Sequence, residues 1–306
     1  MIKKSTILGT AIFILGCVIS CQGSNGEGEV INKVTSEKVS NDTAKTSSQN
    51  VDGTQNRDVF KLNAKSDIPI TIVSAGWSVY AMTKVYNKGN SDSAQILSLN
   101  KNNINPFDRW AVTPYYSSMD KTSYIPMYAS IPLPLLFFLT GSDMRSDYLE
   151  LTFLYFETLS ITGLAGYSAV YFVDRYRPYA YDPGTSLGER MGQNAKNSFY
   201  AGHVEVIATS TFFMSEVYAS YYPESKIKWL FFGLSGAATA GMGYMRLRAG
   251  EHFPSDIIIG GVAGALSGIL VPYFHKNKIF NGKSLSFSPF STGSANGLSI
   301  AYKLNK

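Results

Sequence analysis

Met245-Arg246-Leu247-Arg248-Ala249-Gly250-Glu251-His252-Phe253-Pro254-Ser255-Asp256 leads without a break into a small-residue apolar run, Ile257 to Phe274. Pro254 and Ser255 suit the opening of a helix, because a proline there lacks only an N–H that would go unpaired anyway. The run that follows predicts a long helix carrying Gly260, Gly261, Gly264 and Gly268. Small residues four apart let helix backbones approach closely, so this helix is expected inside a tight bundle. The same stretch carries chemistry. Arg246, His252 and Asp256 stand in the pattern R-x-x-x-x-x-H-x-x-x-D at the mouth of the helix. With Asp256 in the first turn, its carboxylate is expected to hold one nitrogen of His252 and leave the other as nucleophile or base.

The rest of the chain fits a helical bundle. Of its 306 residues, 45% are hydrophobic and 13% aromatic, ample for a sizeable core, and only 16% are charged. Soluble domains carry about 25% charged residues, so a membrane-associated or heavily buried helical protein is indicated. The net charge of +5 is diffuse, with no basic face interleaved by aromatics, and nucleic acid is not an expected partner. The two cysteines, Cys17 and Cys21, lie at the N-terminus, which leaves no thiol in the body of the protein for a disulfide, a cysteine-ligated structural zinc site or cysteine catalysis.

Lys3 and Lys4 precede an apolar run, Thr6 to Ser20, that is too short to span a bilayer comfortably and reads as an export signal. Small residues before Cys17 and before Cys21 resemble a bacterial lipobox. Cys21 is the favoured acylation site because it leaves the longer apolar run, with Cys17 as the alternative. The expected organisation is a signal peptide at 1–21, a polar disordered tether at 22–65, a helical domain at 66–280 and a terminal β-hairpin at 281–306. The fold class is therefore all-α, a bundle of about six core helices with a short β addition. The product would be exported to the bacterial cell envelope and lipid-anchored, on the periplasmic face or at the outer membrane.

Helical spacing marks Ile68 to Tyr86, Ser146 to Arg175, Val204 to Tyr222, Ile227 to Arg246 and Ser255 to Phe274. Ser118 to Thr140 is apolar but broken by Pro126, Pro132 and Pro134. Phe107 to Trp110 reads as a loop with an aromatic plug. Glu205 and Glu216 are expected to face solvent or pair locally, and His275 with Lys276 to form a solvated helix end. Because Asp147, Glu150, Glu157, Glu205 and Glu216 lie within apolar helices, a lipid-tethered bundle on the membrane fits better than a polytopic protein.

Three stretches converge on one chemistry: Val173-Asp174-Arg175-Tyr176-Arg177-Pro178-Tyr179, Asn197-Ser198-Phe199-Tyr200-Ala201-Gly202-His203, and the stretch quoted first. Together they resemble the three-part signature of the type 2 phosphatidic acid phosphatase and vanadium haloperoxidase superfamily, K-x6-R-P, P-S-G-H and S-R-x5-H-x3-D. The resemblance implies His252 as the nucleophile that forms a phosphohistidine, Asp256 as the residue that orients it, and His203 as the acid that protonates the leaving oxygen. It implies Arg177 and Arg246 as phosphate clamps, with backbone N–H groups of Ala201 and Gly202 as further donors. Guanidinium groups do bind phosphate bidentately, and helix N-termini favour anions.

The sequence departs from the signature at three places. Val170 stands where the family has its first lysine, Tyr200 and Ala201 replace Pro and Ser, and Met245 replaces Ser. Arg175, two residues from Arg177, is expected to point to the opposite side of a helix, leaving Lys196 or Arg248 as substitutes. The implied function is hydrolysis of a phosphomonoester or diphosphate without a metal, on a phosphorylated lipid or a small phosphate ester, with the membrane as the second partner. The alternatives are a haloperoxidase with vanadate as cofactor, and a non-catalytic anion-binding surface lipoprotein.

Overall fold

The computed structural model describes residues 59–276 and the strand residues 285–291 and 296–302. The signal, the lipobox cysteines and most of the tether lie outside the described residues. Asn63 caps the first described helix, α1 (Ala64–Val85), its side chain accepting from the Lys65 N–H at 3.1 Å. Short helices follow at α2 (Ser93–Leu97) and α3 (Pro106–Arg109). The proline-rich stretch splits at Ile131 and Pro132 into α4 (Ser117–Ser130) and α5 (Leu133–Phe138), while Pro126 stays inside α4. After α6 (Ser142–Ser146) come the long α7 (Tyr148–Phe172), the short α8 (Leu187–Met191), and the last three helices: α9 (Gly202–Tyr221), α10 (Ile227–Arg248) and α11 (Pro254–Lys276).

The bundle is built around α9. A side-chain carbon at Gly260 would stand 2.7 Å from the Ala201 carbonyl oxygen, one at Gly264 2.2 Å from that of Glu205, and one at Gly268 2.6 Å from that of Thr209. Three successive turns of α11 therefore lie against the α9 backbone. Three glycines of α10 act otherwise, since Gly233, Gly236 and Gly241 face no atom within 4 Å, whereas a side-chain carbon at Gly243 would stand 2.6 Å from Ile257 of α11. Phe138, Leu151, Leu154, Tyr155, Phe213 and Val217 fill the space between α5, α7 and α9, each contributing about 1.5–3 kcal/mol by leaving water.

Several expectations change. Helix α7 ends at Phe172, and residues 173–177 run extended, so Arg175 and Arg177 are not on a helix. Phe107 and Trp110 are exposed, whereas Asp108 between them is fully buried. Glu205 is buried at 3% exposure and pairs locally, with Tyr200, while His275, expected at a solvated helix end, is buried at 2%. Among the described residues one helix, α11, is long and apolar enough to cross a membrane. Its Ile258, Val262 and Leu266, like Ile72 and Val73 of α1 and Trp229, Leu230 and Leu234 of α10, are exposed. Near the C-terminus, β1 (Leu285–Ser291) and β2 (Asn296–Tyr302) run antiparallel with Phe287 opposite Ile300. Residues 292–295, where a turn is expected, lie outside the described residues.

Candidate active site

The three stretches singled out in the sequence meet at one end of the bundle. Beyond α7 the chain pairs with the segment before α9: the Arg175 N–H donates to Lys196 at 3.1 Å, that of Arg177 to Ala195 at 2.8 Å, and that of Ser198 to Arg175 at 3.0 Å. Arg175 and Arg177 lie in extended chain, not on a helix as expected, and their side chains take different partners: Arg175 pairs with Asp108 and Asp256, Arg177 with Glu251. The turn from α10 to α11 depends on Gly250, at φ 74°, where a side-chain carbon would also stand 2.8 Å from the Pro114 carbonyl oxygen. Only glycine meets both conditions without strain. That turn presents Glu251 and His252 to the arginines.

Arg177 is buried, with Nε donating to the Asn194 carbonyl at 2.8 Å and Nη1 ion-paired to Glu251. Arg246, in the last turn of α10, donates from Nη1 to Asp120 at 2.6 Å and Ser123 at 2.8 Å, and from Nη2 to Glu251 at 2.8 Å. One carboxylate, that of Glu251, thus rests on both arginines. Nδ1 of His252 lies 2.7 Å from the Ser198 carbonyl. A carbonyl can only accept, so Nδ1 carries the proton and Nε2 keeps its lone pair. His203, in the first turn of α9, meets the edge of Tyr124 at 4.5 Å. Its Nε2 and the Nε of Arg246 are buried with no hydrogen-bond partner.

Burial, then the charges of Arg177 and Arg246, hold His252 well below the ordinary imidazole range; for His203 burial leads as well, followed by Arg246 and Arg177. Both imidazoles are neutral at physiological pH. Two orphaned polar atoms beside two guanidinium groups make a pocket suited to an anion with several oxygen atoms.

Asp256 does not occupy the expected position. It accepts from Ser198 Oγ at 2.6 Å, from the Phe253 N–H at 3.0 Å and from Arg175, and no hydrogen bond joins it to His252. Its link to the imidazole runs through Ser198, whose hydroxyl it holds and whose carbonyl holds Nδ1. The physical reason is Arg175: beyond the end of α7 it reaches Asp256 and Asp108 and fixes the carboxylate away from the ring. Burial raises Asp108, but hydrogen bonds from Ser255, Asn105 and Arg175 outweigh it and hold its pKa below the usual carboxylate value. Asp108 binds Ser255 through both N–H at 2.9 Å and Oγ at 2.6 Å, tying α3 to the start of α11.

The Ala201 N–H is also committed elsewhere, donating to the Asp256 carbonyl at 3.2 Å, because α11 packs directly on that turn. The Gly202 N–H opens α9, ahead of the first intrahelical bond, and nothing lies within 4 Å of where a side chain at Gly202 would begin. Tyr200, in place of the family's proline, donates at 2.6 Å to the buried Glu205, whose pKa burial pushes up to about 8 against that hydrogen bond. Beside Val170 the cation is Lys88, which donates at 2.7 Å to the Val170 carbonyl and pairs with Asp174. Arg248 is exposed. Sequence reasoning missed Glu251, Ser198, Asp108 and Asp120. Glu251 and Ser198 had a signal, each lying inside one of the three stretches; Asp108 and Asp120 act from sequence-distant elements.

Residues 151–280 match the family model of the PAP2 superfamily. This segment belongs to the PAP2 superfamily. No curated protein and no solved structure matches the chain significantly. The PAP2 match includes Arg177, His203, Arg246, His252 and Asp256. Asp108, Asp120 and Ser123, which complete the polar surroundings in this chain, lie before it. Membership supports a phosphatase-type hydrolase in general terms.

Proposed function

We propose that this PAP2 domain hydrolyses a phosphomonoester or diphosphate through a phosphohistidine at His252. The observation that supports this most is the state of that imidazole: neutral, with Nδ1–H held by the Ser198 carbonyl and Nε2 left as the nucleophile beside two arginines. The phosphoryl group takes the place of the Glu251 carboxylate on Arg177 and Arg246, and the otherwise unpartnered Nε of Arg246 and the Gly202 N–H receive further oxygens. Arriving negative charge offsets the arginines, so the His203 pKa rises on binding and it acquires the proton a general acid needs. Nε2 of His252 forms the N–P bond as the P–O bond to the leaving group breaks, and His203 protonates that oxygen. In the second half, His203 takes a proton from water, whose oxygen attacks phosphorus as the N–P bond breaks, returning the lone pair to His252 Nε2 and releasing inorganic phosphate. Asp256 and Arg175 are positioning residues that act through Ser198.

A phosphorylated lipid is the preferred substrate. Exposed apolar side chains on α1, α10 and α11 suit apposition to a membrane, and a lipid chain at Cys21 would keep the domain there. The test is phosphate release by the purified full-length protein from lipid and soluble phosphates, with acid-quenched trapping of the phosphoenzyme. His252→Ala is expected to yield neither phosphate nor trapped intermediate. Release by that variant at the wild-type rate, or no release by wild type from any substrate, would rule the reading out.

A further inference from the structure

The third histidine of the chain lies in a cluster that the phosphatase reading does not use. Asp67 in the first turn of α1, Glu157 in α7 and His275 in the last turn of α11 are buried together, at 1%, 2% and 2% exposure. Their ligand atoms all lie within 4.8 Å of one another. We propose that these three residues bind a divalent transition-metal ion, with zinc as the best fit, which clasps the beginning and end of the bundle to its middle.

The geometry carries the assignment. Nε2 of His275 stands 3.4 Å from Asp67 Oδ2 and 3.3 Å from Glu157 Oε2. These separations exceed the roughly 2.7–3.2 Å of a good N–H···O bond. They match the roughly 3.3–3.5 Å edge of a tetrahedral shell whose ligands lie about 2.0–2.1 Å from the ion. One N–H cannot serve two carboxylates equally, and Glu157 Oε2 is buried with no hydrogen-bond partner. One imidazolium at 3.3–3.4 Å meets neither buried carboxylate at hydrogen-bond distance, whereas a divalent ion between them would meet both at coordination distance. Nδ1 of His275 lies 2.8 Å from the Val271 carbonyl, which keeps a proton there and aims Nε2 at the carboxylates, where a metal ion would displace its proton. Asp67 is oriented in turn by the Asn63 N–H at 2.5 Å and Ser66 Oγ at 2.7 Å.

Charge agrees with the geometry. Two carboxylates and one imidazolium leave a net negative charge in an apolar interior, whereas two carboxylates, a neutral imidazole and a divalent ion sum to zero. One His with two carboxylates is a nitrogen-and-oxygen set that suits zinc. A cleft of about 270 Å³ lined by Ile161, Leu266, Leu270 and Phe274 borders Glu157 and His275, giving the ion and a fourth, water ligand a path. His275 lies in the last turn of α11 and His252 just before its first, so the cluster stands at the other end of this helix from the arginines and does not rest on the phosphatase reading.

The full-length protein, purified without chelators and with no histidine tag, provides the test. Elemental analysis should find about one zinc ion per chain. Removal by a chelator should lower the melting temperature, and zinc should restore it where magnesium does not. Cobalt substitution should give the strong visible bands of a tetrahedral site. Glu157→Gln and His275→Ala should each weaken metal binding about tenfold to a hundredfold or more, while His252→Ala should bind as wild type does. Absence of zinc uptake and of the cobalt bands in the wild-type protein would overturn the proposal without recourse to any variant. So would undiminished binding by folded Glu157→Gln.

Discussion

The histidines of the PAP2 domain sit in opposite fields. His252 and His203 stand beside Arg177 and Arg246, and burial with those cations keeps both rings neutral. His275 stands between Asp67 and Glu157; burial opposes its charge, but the carboxylates outweigh it and raise its pKa to about 10 when no ion is bound. All three rings direct or offer one nitrogen to their surroundings, and two of them fix the other on a backbone carbonyl. Residue type is the same and burial similar. The charge of the neighbours decides whether the imidazole is held neutral or held as a cation.

That contrast can be broken from either end. The largest effect is expected at the cationic end: His252→Ala should lower phosphate release at least about a thousandfold, read in a steady-state assay. Arg246→Gln should cost about a hundredfold in kcat/KM and also move the pH profile. Removing a cation makes the imidazolium easier to form, so the acid limb, expected below the ordinary value of 6.5 in the wild type, should shift upward. An unmoved limb would show that Arg246 does not set the state of His252.

Between the two ends, the α9–α11 contact holds both in place. Gly264→Ala would put a methyl group 2.2 Å from the Glu205 carbonyl oxygen, and should destabilise the fold by about 1–3 kcal/mol in a denaturant titration. A pH-dependent effect belongs to Glu205, whose folded pKa of about 8 lies above its ordinary 4.5. The folded state therefore binds more protons than the unfolded one between those values, and stability should fall as pH rises through that window by up to about 1.4 kcal/mol per pH unit. Glu205→Gln should flatten that slope, and an unchanged slope would place its origin elsewhere.

Much of the fold was legible because helical periodicity and proline are local. The apolar run of α11, its closely packing glycines and an interruption by proline within 118–140 could be read from the chain, but not that Pro126 stays inside α4 or that the glycines face α9. Arg177, His203, Arg246 and His252 were legible as parts of a spaced pattern. Partners were not. Glu251 was visible beside His252, yet its place across both arginines depends on how α10 turns at Gly250. Asp108, read as part of an aromatic plug, proved to be the buried carboxylate that binds Arg175 and Ser255. Periodicity could not assign it because a single turn of helix carries no period.

By itself, the sequence determined the helical class and the identities of the residues at the arginine-rich end, because hydrophobic spacing and motif spacing are properties of the chain alone. The tertiary structure decided the pairings: Asp256 with Arg175 and Ser198 and not with His252, Glu251 across two arginines, and His275 between two carboxylates. Each joins elements far apart in the sequence, and the electrostatic state of a buried group depends on the charges packing brings to it, which no local pattern records.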